Sequence, residues 1–469
     1  MAEPAPFQAD NLYSWIIEKQ ASLPAQGQFQ RYLLAYSGGV DSTALVLAMH
    51  QIQDRLSAPL LVVHVNHGLH AEANLWAERC QTLCSQLELP FQLVHAQLSD
   101  ANRKGLEARA REARYAALES ISCPGDLLLT GQHADDQGET VLLHLMRGSG
   151  VEGLAAIHPL RQWNNGWLGR PLLGVRRRQL KEYVAATDYS WSEDPSNQDL
   201  SLRRNYLRHK VLPLLLDSWP QAVLSLNQSA SHCNDAMENL AELAEMDIGQ
   251  LQENQLDQQL QRLALAGLTE LPLRRQRLIL RHWVRQQGWQ TPGVAKLSSF
   301  LTQLSNAGHD ARSELCWQNH CMASHSGYLY LNAGDLPVAV SDLPEVWGPN
   351  ASWYGRLELA KPAGFKFTDY KISHRRGGES INLAGRQGTH RLKKLFQEAG
   401  IPPWLRSSIP LLYSGDRLLA AGDLWLDENF SQQLKQAGNA LIWEPSKPHW
   451  AVFRNAILKL PGQTQEQQR

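Results

Sequence analysis

The chain has 469 residues, 43% hydrophobic and 19% charged, and its 45 Lys and Arg nearly cancel its 46 Asp and Glu. That balance excludes a histone-like or polybasic protein, and at roughly 150 residues per domain the length predicts about three domains. No apolar run approaches the ~18–20 residues that span a bilayer, and the opening MAEPAPFQAD lacks the basic and apolar regions of a secretory signal. A soluble, cytoplasmic protein with no membrane partner is expected.

Along the chain, Tyr32–Tyr36 (YLLAY) is a short apolar run, followed by a glycine turn and a helical stretch over 42–51. LLVVHV (60–65), FQLVHA (91–96) and DLLLT (126–130) are strand-length and almost wholly apolar, as in parallel strands covered on both faces. The stretch 107–120 between them reads as a helix. Alternating β and α units predict an α/β fold, a doubly wound parallel sheet over 1–215, with ligands at the carboxyl ends of its strands. From 216 to 345, segments such as 226–246 and 273–287 repeat apolar residues at helical spacing, which predicts an α-helical domain. Residues 336–352 are rich in Pro, Gly and Asp and read as a linker. A small α+β domain is expected over 353–455, and the Gln-rich 461–469 is expected to be a disordered tail.

The cysteines form no C-x-x-C pair. Cys80 and Cys84 have the spacing of neighbours on one helix face. Cys316, His320 and Cys321 stand close together, but a second ligand pair for zinc is missing, so reduced, buried thiols are expected.

The hexapeptide SGGVDS, Ser37–Ser42, stands directly between a predicted strand and a predicted helix. Gly38 and Gly39 let the backbone turn sharply, and the amides through Val40 open the positive end of the helix, which suits a phosphate. Ser37 and Ser42 add hydroxyls, and Asp41 can hold magnesium against the phosphates. No G-x-x-x-x-G-K-[ST] is present, which disfavours a Walker-type kinase or GTPase. HADDQGET, His133–Thr140, follows the DLLLT strand and sets Asp135, Asp136 and Glu139 in the first turns of a helix. Carboxylates there can be caps. Three acids and a histidine facing a phosphate site can also ligate magnesium, bind an amine substrate's ammonium, or accept its proton.

SGGVDS resembles the PP-loop of the N-type ATP pyrophosphatases, which implies cleavage of ATP between its α- and β-phosphates. His133, Asp135, Asp136, Glu139 and Thr140 resemble the H-x-x-D-D-x-x-E-T motif of the tRNA(Ile)-lysidine synthetase family and of related tRNA thiolases. HVNHGLH (64–70), GLEARAREARY (105–115), RGSGVEGL (147–154), RPLL (170–173), DPSN (194–197) and RRN (203–205) are similar to the lysidine family's N-terminal domain, with His70 where that family has arginine. The resemblance implies ATP-dependent attachment of L-lysine to C2 of the wobble cytidine of tRNA(Ile) with a CAU anticodon, through an adenylated tRNA, releasing AMP and pyrophosphate. It implies ATP and Mg2+ as cofactors, phosphate binding by Ser37–Ser42 and metal binding by Asp41 and Asp136. Asp136 and Glu139 would serve lysine or metal, an assignment the spacing leaves open. Arg111 and Arg204 become candidates for stabilising phosphate charge, with His133, Asp135 and Arg208 as further contacts. The sequence leaves a homodimer open.

The alternative within the superfamily is a PP-loop tRNA cytidine thiolase. Thiolases need cysteines to carry sulfur or an iron–sulfur cluster, and none of the six lies in these motifs. A binding protein that senses ATP without turnover would explain the glycine loop but not three carboxylates beside it. Acid-free basic runs, 161–181 and 274–285, and the stretch 374–406 point to phosphate contacts with RNA. Within the last, RRGGE and LKKLFQE resemble the lysidine family's C-terminal domain, and Arg375, Arg376, Arg391, Lys393 and Lys394 are the candidate tRNA ligands.

Overall fold

Strands β1 (Arg31–Ala35), β2 (Leu60–Asn66), β3 (Phe91–His95) and β4 (Asp126–Leu129) form where the apolar runs stand. The computed structural model describes residues 6–23, 28–68, 72–97, 106–193, 195–252, 260–306, 313–333, 350–351, 354–360, 370–384, 386–446 and 448–458. His70, Asp194 and the expected tail 461–469 lie outside the described residues, as does almost all of the expected linker 336–352. The chain divides into two compact units, Met1–Asn239 and Leu240–Arg469.

In the first unit, β5 (Leu160–Trp163) and β6 (Gly166–Gly169) complete a six-stranded sheet of order β3-β2-β1-β4-β6-β5. The first five strands in that order pair in parallel, and β5 returns antiparallel to β6. Sequence reading missed this hairpin because its strands are short and rich in Trp and Gly. Its turn signal is Asn164, which takes a positive φ of 51°.

Side chains alternate across the sheet. Leu34, Val62, Leu127 and Leu129 face a cluster with helices α1 (Ala9–Ala21), α2 (Val40–Ile52) and α3 (Ala73–Gln86). Leu33, Val63 and Leu128 face Leu118 of α4 (Leu106–Glu119) on the other side. Both faces are therefore covered, which explains the near-continuous apolar runs. β3 departs from that expectation: Gln92, Leu93 and His95 are exposed on this edge strand. Beyond the sheet lie α5 (Ala134–Leu145), α6 (Val151–Leu154), α7 (Arg177–Ala185) and α8 (Arg203–Tyr206). A π-helical turn, Leu207–Val211, leads into α9 (Leu212–Ser218), and α10 (Ala222–Leu251) crosses the boundary between the units.

The second unit corrects the expectation of a purely helical middle. Helices Leu273–Gln286 and Val294–Asn306 are present, but they pack on an antiparallel sheet. Its strands are β7 (Arg262–Ala264), β8 (Glu314–Trp317), β9 (His320–His325) and β10 (Tyr328–Ala333), in the order β7-β10-β9-β8. Two-residue turns at Gln318–Asn319 and Ser326–Gly327 make this meander, with positive φ at Gln318, Ser326 and Gly327. One face carries Met322, Leu329 and Leu331 against Trp283 and Phe300. Ala323 and Tyr330 belong instead to the core of the small C-terminal region, with Tyr354, Trp404, Trp443 and Trp450. That region mixes short antiparallel strands with helices Leu392–Glu398, Glu428–Gln436 and Pro448–Leu458, as the α+β expectation had it. No helix among the described residues is long and apolar enough to cross a membrane.

Candidate active site

The loop after β1 turns at Gly38, whose φ of +81° suits only glycine, and a Cβ there would meet Cys80 Sγ at 3.1 Å. Gly39 then caps α2 with no side chain of its own, which leaves the first amides of a 13-residue helix open to an anion. Internal bonds hold the loop in shape. Ser37 N–H donates to Ser42 Oγ at 3.2 Å, Ser42 Oγ donates to Gly39 O at 3.0 Å, and the two serine hydroxyls stand 3.0 Å apart. Beneath the loop, burial pushes the Cys80 and Cys84 thiols up to about 12, so both are inert packing groups. Their shared helix face is the one expected.

β4 brings the second motif alongside. A Cβ at Gly131 would lie 3.0 Å from the Asp41 carbonyl carbon and from Ser42 N, so only glycine lets the two loops approach this closely. His133 caps α5: its N–H donates to Asp136 Oδ2 at 3.1 Å, and Asp136 N–H donates to His133 Nδ1 at 3.4 Å. The same ring joins both motifs. His133 Nε2 lies 3.6 Å from Asp41 Oδ2 and 3.5 Å from Asp136 Oδ2, within ion-pair reach but short of a completed hydrogen bond. Burial opposes a charge on His133, yet Asp136 and Asp41 outweigh it and hold the imidazole above its usual range. Asp136 responds in kind. Burial works against its charge, but His133, Arg204 and Arg208 hold it below the usual carboxylate range.

Arginines neutralise the acids. Arg204 Nε donates to Glu139 Oε2 at 2.7 Å and its Nη2 to Asp136 Oδ1 at 3.1 Å. Arg208 Nε donates to Glu139 Oε1 at 2.6 Å and its Nη2 to Asp136 Oδ1 at 3.0 Å. The two arginines are four residues apart and flank the start of the π-helical turn, so both reach one side of α5. Glu139 is fully buried with both oxygens taken, whereas the Asp136 and Asp41 side chains keep 14% and 27% exposure. An isolated buried carboxylate costs several kcal/mol, so Glu139 requires these partners. Asp135 points elsewhere: it accepts from Arg176 Nη2 at 3.0 Å and from the backbone N–H of Arg177 at 2.8 Å, tying α5 to α7.

The structure thus gathers Ser37, Gly38, Gly39, Val40, Asp41, Ser42, His133, Asp135, Asp136, Glu139, Arg204 and Arg208 at the carboxyl ends of β1 and β4. Arg111 faces a different feature. Its guanidinium lies 5.3 Å from the Tyr115 ring centroid, beside an open cavity of about 450 Å³ also lined by Glu112, Glu119 and Arg161.

The acid-free 161–181 run is expected to meet RNA, but three of its arginines have partners within the protein. Arg176 binds Asp135, Arg177 Nε stands 3.6 Å from Asp41 Oδ1, and buried Arg170 donates to Gln132 Oε1 at 2.5 Å and to His158 O at 2.7 Å. Burial, with Arg161 near, pulls the Arg170 guanidinium down to about 10. The signal for this was electrostatic: an acidic cluster in a buried sheet end needs counter-charges, and the next acid-free run supplies them.

Comparison with known proteins gives the family and its domains. Residues 13–215 match the model of the PP-loop domain, residues 263–330 the TilS substrate binding domain, and residues 371–443 the TilS substrate C-terminal domain. A tRNA(Ile)-lysidine synthase of Coxiella burnetii is 37% identical over 426 residues, covering 89% of this chain and 94% of its own. The chain belongs to the tRNA(Ile)-lysidine synthase family. A second member, from Pseudomonas putida, is 38% identical over 407 residues, covering 84% of this chain and 92% of its own. A solved U34-tRNA thiolase NcsA from Methanococcus maripaludis has a TM-score of 0.40 at 14% identity, covering 47% of this chain and 78% of that one. As a lysidine synthase family member, the chain is an ATP-dependent ligase of tRNA modification.

In the second unit, Arg376, Arg391, Lys393 and Lys394 are exposed around the Leu392–Glu398 helix. Lys394 keeps 75% of its side chain in solvent, and its partner Glu398 is 3.9 Å away. Arg375 is less free, with Nε 3.4 Å from Glu379 Oε2 and its guanidinium 5.5 Å from the Phe396 ring. Arg406 does not belong to that surface: it is buried, and its Nε donates to Ile401 O at 2.9 Å. Of the 274–285 run, Arg275 pairs with buried Asp247 while Arg274 is exposed.

Proposed function

We propose that the first unit adenylates the C2 oxygen of the wobble cytidine in the CAU anticodon of tRNA(Ile), and that the ε-amine of L-lysine then displaces AMP. A cytosine carbonyl is a poor electrophile with no leaving group, and transfer of AMP to its oxygen creates one. The single observation that carries the reading is the meeting of Asp41, in the open first turn of α2, and Asp136 at one imidazole nitrogen of His133.

The α2 amides and Gly38–Gly39 bind the phosphates of ATP, and Arg204 and Arg208 face the charge that develops as pyrophosphate leaves. Magnesium fits the acids present: Asp41 Oδ1 is buried without a hydrogen-bond partner, and the set offers the hard carboxylate oxygens this ion prefers. Asp41 and Asp136 would hold it, and when bound it supplies charge neutralisation at the phosphates. Glu139 orients Arg204 and Arg208, and the exposed basic residues 376–394 hold tRNA phosphates. Pyrophosphate release from ATP, measured with and without CAU-anticodon tRNA(Ile) and lysine, tests the reading. Release that ignores this tRNA would overturn it.

A further inference from the structure

We propose that Cys316 and Cys321 are a reversible thiol–disulfide pair, a modification site at which a low-molecular-weight disulfide oxidises the protein. The two are joined in the structure, which corrects the expectation of reduced thiols. The β8–β9 register places them directly opposite each other with Cα atoms 4.2 Å apart, the close spacing of a non-hydrogen-bonded antiparallel pair. The sulfurs therefore meet without any movement of the backbone.

The alternation along each strand also removes His320 from any zinc set with these sulfurs. His320 pairs with Trp317 and stacks on Trp289 at 4.1 Å between ring centroids, on the opposite face of the hairpin. Glu314 shares the face of Cys316, its carboxylate 3.4 Å from Sγ.

Access divides the roles. β8 is the edge strand, so Cys316 is exposed, while Cys321 lies one strand inward and is 2% exposed. The exposed thiolate attacks a small disulfide, forming a mixed disulfide at Cys316 and releasing one small thiol. The Cys321 thiolate then attacks the Cys316 sulfur, forming the protein disulfide and releasing the second thiol. Two protein thiols are oxidised and one small disulfide is reduced to two thiols, the two protons lost by the protein passing through solvent to the leaving thiolates. The other cysteines lack this arrangement. Cys80 and Cys84 are buried and held protonated, and exposed Cys123 and half-buried Cys233 are free cysteines.

The full-length protein is reduced, freed of reductant, and equilibrated in glutathione buffers of rising oxidised-to-reduced ratio. It is then acid-quenched, alkylated and mapped by mass spectrometry. The expected result is a linked Cys316–Cys321 peptide that grows with the ratio and vanishes on return to reduced buffer, while Cys123 gains only an adduct. Cys321→Ala should stop the reaction at a glutathione adduct on Cys316, and Cys316→Ser, an exposed change that leaves the core intact, should leave Cys321 unmodified. Thiols that stay reduced across the series, or adducts on Cys316 and Cys123 alike with no linkage in the parent protein, would overturn the proposal.

Discussion

Two charged regions of this molecule look alike in sequence and differ in physics. At the sheet end of the first unit, four acids, one histidine and four arginines are buried or half-buried and paired with one another. On the surface of the second unit, Arg376, Arg391, Lys393 and Lys394 are exposed. Desolvation makes each charge in the first region depend on its neighbours by several kcal/mol. Screening leaves each charge in the second worth about 1 kcal/mol or less to stability. The first can therefore act on a developing charge with no reorganisation, and the second can serve only a polyanion that many such charges meet at once.

The largest expected effect comes from removing one charge from the paired region. Asp41→Asn keeps the shape of the side chain and should slow pyrophosphate release by roughly a hundredfold or more, as losses at metal sites do. Its unfolding midpoint should stay near that of the parent protein. Near-parental release would remove Asp41 from the metal site.

Glu139→Gln tests stability and chemistry together. Among the described residues it leaves Arg204 and Arg208 ion-paired with Asp136, and since those arginines keep 27% and 20% exposure, the cost should be about 2 kcal/mol rather than the full value of a buried pair. As the anchor of both arginines, Glu139 should also be needed for adenylation, read as tRNA-bound AMP from α-labelled ATP without lysine. An adenylated tRNA that accumulates, with a raised lysine requirement, would place Glu139 at the lysine site instead.

His133 sharpens the comparison through pH. Its folded-state pKa is raised, so its ion pairing contributes fully below the unfolded histidine value, about 6.5, and is lost as pH rises through the folded value. Asp136 has a lowered pKa and works in the opposite sense, contributing above the unfolded carboxylate value and failing as pH falls through the folded one. Urea midpoints measured across pH should therefore decline on the alkaline side, and His133→Asn should flatten that decline. A parallel decline in both proteins would show that the imidazole carries no charge in the folded state.

The smallest effect on fold and the clearest on RNA belong to the exposed region. Neutralising Lys393 and Lys394 together should leave the melting temperature and the KM for ATP unchanged. It should reduce the slope of log affinity for tRNA against log salt by roughly one unit for each phosphate no longer neutralised. An unchanged slope would reduce these lysines to a solvated helix face.

The sequence by itself determined what depends on near neighbours. Strands β1, β2 and β4 follow from apolar runs, α2 from the glycine turn that precedes it, and the helix of Leu273–Gln286 from its periodicity, because backbone preference and side-chain alternation act over a few residues. Ser37–Ser42 and His133–Glu139 were legible for the same reason: each is a contiguous loop feeding a helix. The tertiary structure alone decided which charges meet. Glu139 and Arg208 are 69 residues apart, and only the packing of the π-helical turn against α5 brings them to 2.6 Å. The same holds for Arg170, Arg176 and Arg406, basic in sequence and drawn inward by partners the sequence does not mark. Strand pairing belongs here too. The β8–β10 meander, the edge position of β3 and the joining of Cys316 to Cys321 arise from register between segments, and register is a property of what a strand faces rather than of its own residues.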